Sequence, residues 1–141
     1  MNNQIREGAV IKLYRLERYL YCHHFRLLSK FVCVLIRIIF NCVVPPTIII
    51  GKGSSIAHGV GIVIHHEAVI GENVKIYQNV TIGHPRVIIG NNVLIGAGAV
   101  ILGPCNIGNN VKIGANTVVN FDVPDNCTVV GGAKGRIIQH D

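Results

Sequence analysis

From Ile50 onward, aliphatic residues return every six positions. Ile50, Ile56 and Ile62 form one series, Ile70, Ile76, Ile82 and Ile88 a second, and Ile89, Ile95, Ile101, Ile107, Ile113 and Val119 a third. Gly follows the aliphatic at positions 51, 71, 83, 90, 96, 108 and 114, and a further aliphatic often stands three residues later, as at Val74, Val93 and Val111. Strand faces repeat every two residues and helix faces every 3.6, so a period of six with glycine at fixed phase is neither. It predicts one short flat strand per unit with one aliphatic pointing inward, then a tight corner. Corners such as Gly71-Glu72-Asn73 and Gly90-Asn91-Asn92 consist of residues that tolerate unusual backbone angles. Three units close a triangular coil of about 18 residues, and stacked coils pair as parallel strands around an aliphatic core. A sandwich of short strands would not hold one phase over the consecutive units from 89 to 119.

Upstream the pattern is helical. Ile11, Tyr14, Leu20, Leu27, Leu28, Phe31, Leu35, Ile38 and Ile39 fall near a 3.6-residue period, which predicts helices over about 5–21 and 24–42. Pro45-Pro46 cannot continue a helix. The predicted organisation is therefore a helical segment at 1–45, a solenoid domain at 46–130 and a tail at 131–141.

Composition narrows the classes. Half of the 141 residues are hydrophobic and only 14% charged, which excludes a disordered chain. The longest apolar uncharged stretch, Ile38 to Ile50, is interrupted by Asn41 and the two prolines and falls short of the roughly 20 residues a spanning helix needs. The formal charge is +6, and residues 1–45 hold Arg6, Lys12, Arg15, Arg18, Arg26, Lys30 and Arg37 against Glu7 and Glu17. These cations suit either a solvated helix face or a patch for anionic lipid or another anionic partner. No nucleic-acid motif is present, and the aromatics are too few for base stacking. Five cysteines without a C-x-x-C pair do not make a disulfide framework. With no signal-peptide pattern at the N-terminus, the chain is expected in the cytoplasm, with association at the inner membrane face left open.

The six-residue phase breaks twice. Ile56 to Ile64 spans eight residues, with the two extra in Ala57-His58-Gly59-Val60-Gly61; Ile82 to Ile89 spans seven, with the extra one in Gly83-His84-Pro85-Arg86-Val87. A slip in a solenoid marks a loop pushed outward, and both slips carry a histidine. Histidine near neutral pH can act as a general base toward an attacking hydroxyl, which makes His58 and His84 the candidate catalytic residues. His65-His66 lie in an ordinary corner and are expected on the surface.

These repeats resemble the hexapeptide-repeat acyltransferases, whose fold is a left-handed parallel β-helix, and within them the serine acetyltransferase-like branch, including small members associated with polysaccharide synthesis. The resemblance covers about residues 45–138. It rests on His58-Gly59-Val60-Gly61-Ile62-Val63-Ile64 with Glu67 to Gly71, on Ile76-Tyr77-Gln78-Asn79-Val80-Thr81-Ile82-Gly83, on Ile95-Gly96-Ala97-Gly98-Ala99, and on Ile113 to Val119 with Asp122-Val123-Pro124. It implies that His58 is the general base and that Gly96, Ala97, Gly114 and Ala115 line the pantetheine arm of acetyl-CoA. Lys134 and Arg136 would approach the phosphates of the nucleotide end. Gln78 and Arg86 are the candidate acceptor contacts, and no metal is expected. The serine enzymes carry an aspartate about fifteen residues before the catalytic histidine, where this chain has Val43, and their C-terminal Gly-x-Pro-Ala lacks its proline here. Their N-terminal helical domain is also larger than residues 1–45.

The expectation is thus an acetyl-CoA-dependent O-acetyltransferase that transfers acetyl directly to a hydroxyl. A sugar or glycan in polysaccharide biosynthesis is the expected acceptor and serine the alternative. A β-helical zinc lyase, using His58, His65 or His66, and His84, and a non-catalytic scaffold are the readings from other classes. A homotrimer, or a dimer of trimers, follows from the flat faces of a triangular solenoid. Residues 5–42 could cap the solenoid, join trimers or contact a membrane surface.

Overall fold

The computed structural model describes residues 8–83, 86–131 and 136–139. Two helices, α1 (Ala9–Cys22) and α2 (Arg26–Phe40), precede fourteen strands. The part of the first helix expected at residues 5–7 lies outside the described residues. Asn41 ends α2 in the left-handed conformation, φ 51°, an ordinary place for Asn.

The strands form three faces of a parallel solenoid. Face 1 stacks β1 (Ile49–Ile50), β4 (Val69–Ile70), β7 (Val87–Ile89) and β10 (Cys105–Ile107). Face 2 stacks β2 (Ser55–Ile56), β5 (Lys75–Ile76), β8 (Leu94–Ile95), β11 (Lys112–Ile113) and β13 (Cys127–Val130). Face 3 stacks β3 (Val63–Ile64), β6 (Thr81–Ile82), β9 (Val100–Ile101) and β12 (Val118–Val119). Register places Ile50, Ile70, Ile89 and Ile107 in one inward column; Ile56, Ile76, Ile95 and Ile113 form the next. Ile64, Ile82, Ile101 and Val119 form the third. All are buried, each stabilising the coil stack by about 1.5–3 kcal/mol.

The corners explain the Gly and Asn content. Asn73, Asn79, Asn92, Asn110, Asn116 and Asn126 all have φ between 54° and 59°, where Asn is tolerated far better than branched residues. The amide of Asn92 donates to Asn110 Oδ1 at 3.2 Å and that of Asn110 to Asn126 Oδ1 at 2.9 Å. The corners are thereby tied together along the axis. Gly51 is required for a different reason: a Cβ there would lie 2.5 Å from the backbone of Gly71 in the next coil.

Two boundaries differ from the sequence expectation. The solenoid begins before the prolines, because Val43 bridges Val63 in parallel, with its N–H donating to Ile62 O at 2.7 Å and its carbonyl accepting from Ile64 N at 2.9 Å. The expected C-terminal tail contains a strand, β14 (Arg136–Gln139), which pairs antiparallel with β13 and covers that end of face 2.

The helices cap the opposite end. Tyr14 is fully buried and donates its hydroxyl to Ile48 O at 2.7 Å. Arg18 donates to the carbonyls of Pro46 and Ile48, and Arg15 to that of Gly51. These bonds satisfy carbonyls that the first coil would otherwise leave without partners. Of the three roles left open for the arm, capping is the one made by these contacts.

Candidate active site

The two slips lie at different corners. Residues 57–62 join face 2 to face 3 in the first coil, and the second slip falls between β6 of face 3 and β7 of face 1. The two extra residues of the first slip let the chain turn outward through a run of left-handed backbone: His58 φ 65°, Gly59 φ 49° and Gly61 φ 67°. A left-handed histidine is uncommon and costs conformational energy, so surrounding packing must hold it.

That packing comes from the helical arm. A Cβ on Gly59 would lie 2.7 Å from Val10 Cγ2 and 3.5 Å from Phe40 Cδ1, and one on Gly8 would lie 2.5 Å from Ile56 O. The loop is therefore clamped between the start of α1 and the end of α2. His58 itself is exposed and borders a hollow of about 230 Å³ lined by Gly8, Ala9, Val10, Phe40, Ile56 and Gly59. The position fifteen residues upstream, Val43, spends its backbone groups on the first rung. Among the described residues none makes a hydrogen bond to the His58 ring, so the imidazole is placed by its backbone.

Coil lengths then align the other candidates. His58, Gln78, Ala97 and Ala115 each occupy the corner between faces 2 and 3 in successive coils. Ala57 N donates to Ile76 O at 2.8 Å, Gly98 N to Gln78 O at 3.0 Å and Asn116 N to Ala97 O at 2.8 Å. Gly96 faces Ala115 so closely that a Cβ would lie 2.5 Å from its nitrogen. Gly114 N bonds Val129 O at 2.8 Å, and Val130 pairs with Arg136 at the last rung of this edge. With adjacent strands about 4.8 Å apart, the five steps from the His58 layer to Arg136 in β14 cover roughly 24 Å.

The chemistry of this edge is uneven. Gln78 Oε1 is buried without a hydrogen-bond donor, a costly state that an incoming N–H would relieve. Ala97, Gly96, Gly114 and Ala115 leave the edge above it free of bulky side chains. Arg86 is exposed, with φ 30°, and lies on the edge between faces 3 and 1. Within one chain it is therefore not brought to His58. His84 and Lys134 lie outside the described residues. His65 and His66 occupy the corner between faces 3 and 1, their rings 4.1 Å apart, with His66 exposed and His65 half-buried.

Sequence reasoning missed the arm's packing on Gly59, next to His58, which arises from the tertiary placement of Val10 and Phe40. It also missed the common edge, although the spacings of 20, 19 and 18 residues seen in the register carry His58 to Gln78, Ala97 and Ala115 in turn.

The family described as bacterial transferase hexapeptide (six repeats) matches residues 86–120. A serine acetyltransferase of Synechococcus elongatus is 40% identical over 134 residues, which cover 89% of this chain and 54% of that protein. A serine acetyltransferase of Helicobacter pylori J99 is 39% identical over 137 residues, covering 91% of this chain and 78% of that protein. A solved serine acetyltransferase in complex with CoA superposes with a TM-score of 0.85 at 36% identity, covering 92% of this chain and 55% of the other. The chain thus spans about half the length of the cyanobacterial and CoA-bound proteins and over three quarters of the Helicobacter one. With the matched repeat and this agreement in fold, the solenoid is a left-handed parallel β-helix.

Proposed function

This chain belongs to the serine acetyltransferase family of hexapeptide-repeat transferases, and from that premise we propose that it transfers acetyl from acetyl-CoA to the hydroxyl of serine. The sequence expectation placed a sugar or glycan first and serine second; the relatives favour serine, and polysaccharide biosynthesis has no support among them. Because these relatives are acetyltransferases, they also favour transfer over the zinc-lyase and scaffold readings.

The observation that carries the proposal is the column headed by His58. A base on an outward loop, an unpartnered acceptor at Gln78 and a small-residue edge at Gly96, Ala97, Gly114 and Ala115 follow one another along one edge of the prism. The amides of a pantetheine arm could donate to Gln78 Oε1, and the arm could lie along backbone that carries nothing larger than a methyl group. In this reading Arg136, whose backbone pairs with Val130 at the last rung, and Lys134, close to it in sequence, would meet the phosphates.

In this arrangement the neutral His58 imidazole takes the proton of the acceptor hydroxyl as its oxygen attacks the thioester carbonyl carbon. A C–O bond forms, the C–S bond breaks, and the departing sulfur receives the proton from the imidazolium. The acetyl group moves once, without a covalent enzyme intermediate. Cys105 and Cys127 support this economy of steps: both are buried in the core, and burial pushes the Cys105 thiol above its ordinary pKa. Arg86 would reach this edge only from another copy. A threefold assembly, for which the exposed column Ile49, Val69 and Ile88 of face 1 offers an apolar contact, is part of the proposal.

The test is CoA thiol release from acetyl-CoA with serine, nucleotide sugars and oligosaccharides compared as acceptors. Serine-dependent release is expected. Release with a sugar and not with serine would overturn the serine assignment, and release with none of them would overturn the transferase reading.

A further inference from the structure

Helix α2 is amphipathic in an unusual sense, with apolar residues on two opposite sides. Ser29, Val32 and Ile36 are buried against the rest of the molecule. At about 100° per residue, Leu27, Phe31, Val34 and Ile38 fall on the opposite side, with Leu28 and Ile39 beside them. Leu27 is 85% exposed, Ile38 74%, Ile39 63% and Phe31 60%. Six large apolar side chains along one 15-residue helix exceed the scattered exposure of an ordinary surface.

Charge indicates what this stripe meets. Arg26, Lys30 and Arg37 share one flank of α2, since their spacing of four and seven residues brings them to nearly the same angle. Helix α2 has no acidic residue. Among the described residues of the arm, 8–45, the sole acid is Glu17, which is fully buried. Among the described residues the arm therefore offers an apolar face bordered by cations and no acid on its surface, since Glu17, which shares a cavity with Arg26 and Lys30, is buried. A second copy of this surface would supply no acidic group either.

We propose that α2 lies flat on an anionic lipid surface, its Leu27-Phe31-Val34-Ile38 stripe in the acyl boundary and Arg26, Lys30 and Arg37 at the phosphates. Both terms of interfacial binding are present: buried apolar area and attraction to anionic headgroups. The helix docks on the surface and does not cross it: no described helix is long and apolar enough to span. Since the same arm clamps the His58 loop through Val10 and Phe40, docking would set the first coil of the solenoid beside the membrane. The proposal does not depend on which acceptor His58 serves.

The test is co-sedimentation of the full chain with vesicles of mixed phosphatidylglycerol and phosphatidylcholine, against phosphatidylcholine alone. Binding to the anionic vesicles, weakening as salt is raised, is expected. Replacing Arg26, Lys30 and Arg37 by Gln together should lower partitioning roughly 100-fold at low salt, at about fivefold per cation. Leu27→Asp with Ile38→Asp should abolish it while circular dichroism and the melting temperature stay unchanged. Equal binding to neutral vesicles, or no binding to either, would overturn the proposal. So would a Leu27→Asp/Ile38→Asp variant that still sediments with lipid. Loss of a higher oligomer in that variant, with lipid binding unaltered, would assign the stripe to contacts between copies and refute the lipid assignment.

Discussion

Replacing Glu17 by Gln should make the protein more stable above neutral pH and leave it little changed in acid. Glu17 sits on the buried side of α1 with no solvent exposure, and neither carboxylate oxygen accepts a hydrogen bond from a nitrogen or oxygen donor. It borders a cavity of about 260 Å³ between the helices, with Tyr21, Arg26, Ser29, Lys30, Cys33 and Pro46. Desolvation pushes its pKa from the ordinary 4.5 up to about 7, an effect the Cys33 thiol beside it offsets only in part. Below the unfolded value the carboxyl is protonated in both states and costs nothing. Between the two values the unfolded chain releases a proton that the folded chain keeps, so stability falls as pH rises, by about 1.4 kcal/mol for each pH unit. Above the folded value the penalty is constant at about 3 kcal/mol, the sum of that slope over the interval between the two pKa values. From pH 5 to pH 8 the Glu17→Gln variant should therefore gain roughly 2–3 kcal/mol relative to the native chain. At about 3 °C per kcal/mol for a chain of this size, that is a relative rise of roughly 6–9 °C in melting temperature. Comparing the two proteins pH by pH cancels every other titrating group, and any fixed cost of the buried amide cancels in the difference between pH values. Parallel melting curves across this range would refute the reasoning, since the carboxylate would then be stabilised in some other way.

Other substitutions test the scaffold. Gly51→Ala should destabilise by more than about 2 kcal/mol in denaturant titration, because its Cβ would meet the Gly71 backbone at 2.5 Å in a stack that cannot open locally. Asn110→Ala should cost about 1–2 kcal/mol, through the left-handed backbone at φ 57° and the loss of its amide bonds with Asn92 and Asn126. Tyr14→Phe should cost about 1 kcal/mol, the lower end of the range for a buried hydroxyl bond, because Ile48 O also accepts from Arg18. A native-like unfolding midpoint in any of the three would contradict the corresponding contact.

The solenoid was legible because its physics is periodic: each coil needs inward aliphatics at a fixed phase and a corner residue that accepts positive φ, and Ile, Gly and Asn declare both. The outward turn at His58 was legible for the same reason, as an interruption of that phase. What did not show was non-periodic. Val43 forms the first rung although it stands before two prolines, since a rung needs only a short extended segment and the prolines fall at the following corner. The antiparallel return of Arg136–Gln139 has no hexapeptide signature, because a terminal strand that covers one side of a stack need not repeat. The helical pattern located α1 and α2 but not the exposed side of α2, whose apolar residues read like core until the packing of Ser29, Val32 and Ile36 fixed which side faces inward. The separation of Arg86 from His58 by one edge depends on which face each corner joins, and this requires counting whole coils from a known start.

The measurement closest to the central claim is serine-dependent thiol release by His58→Ala. His58 is exposed, so the substitution should leave the assembly of the protein intact and lower the melting temperature only slightly, through alanine at a left-handed φ of 65°, while removing the base should lower turnover by at least about 100-fold. Turnover close to that of the native chain would contradict the assignment of His58 as the base and, with it, the reading of the column it heads as an active site.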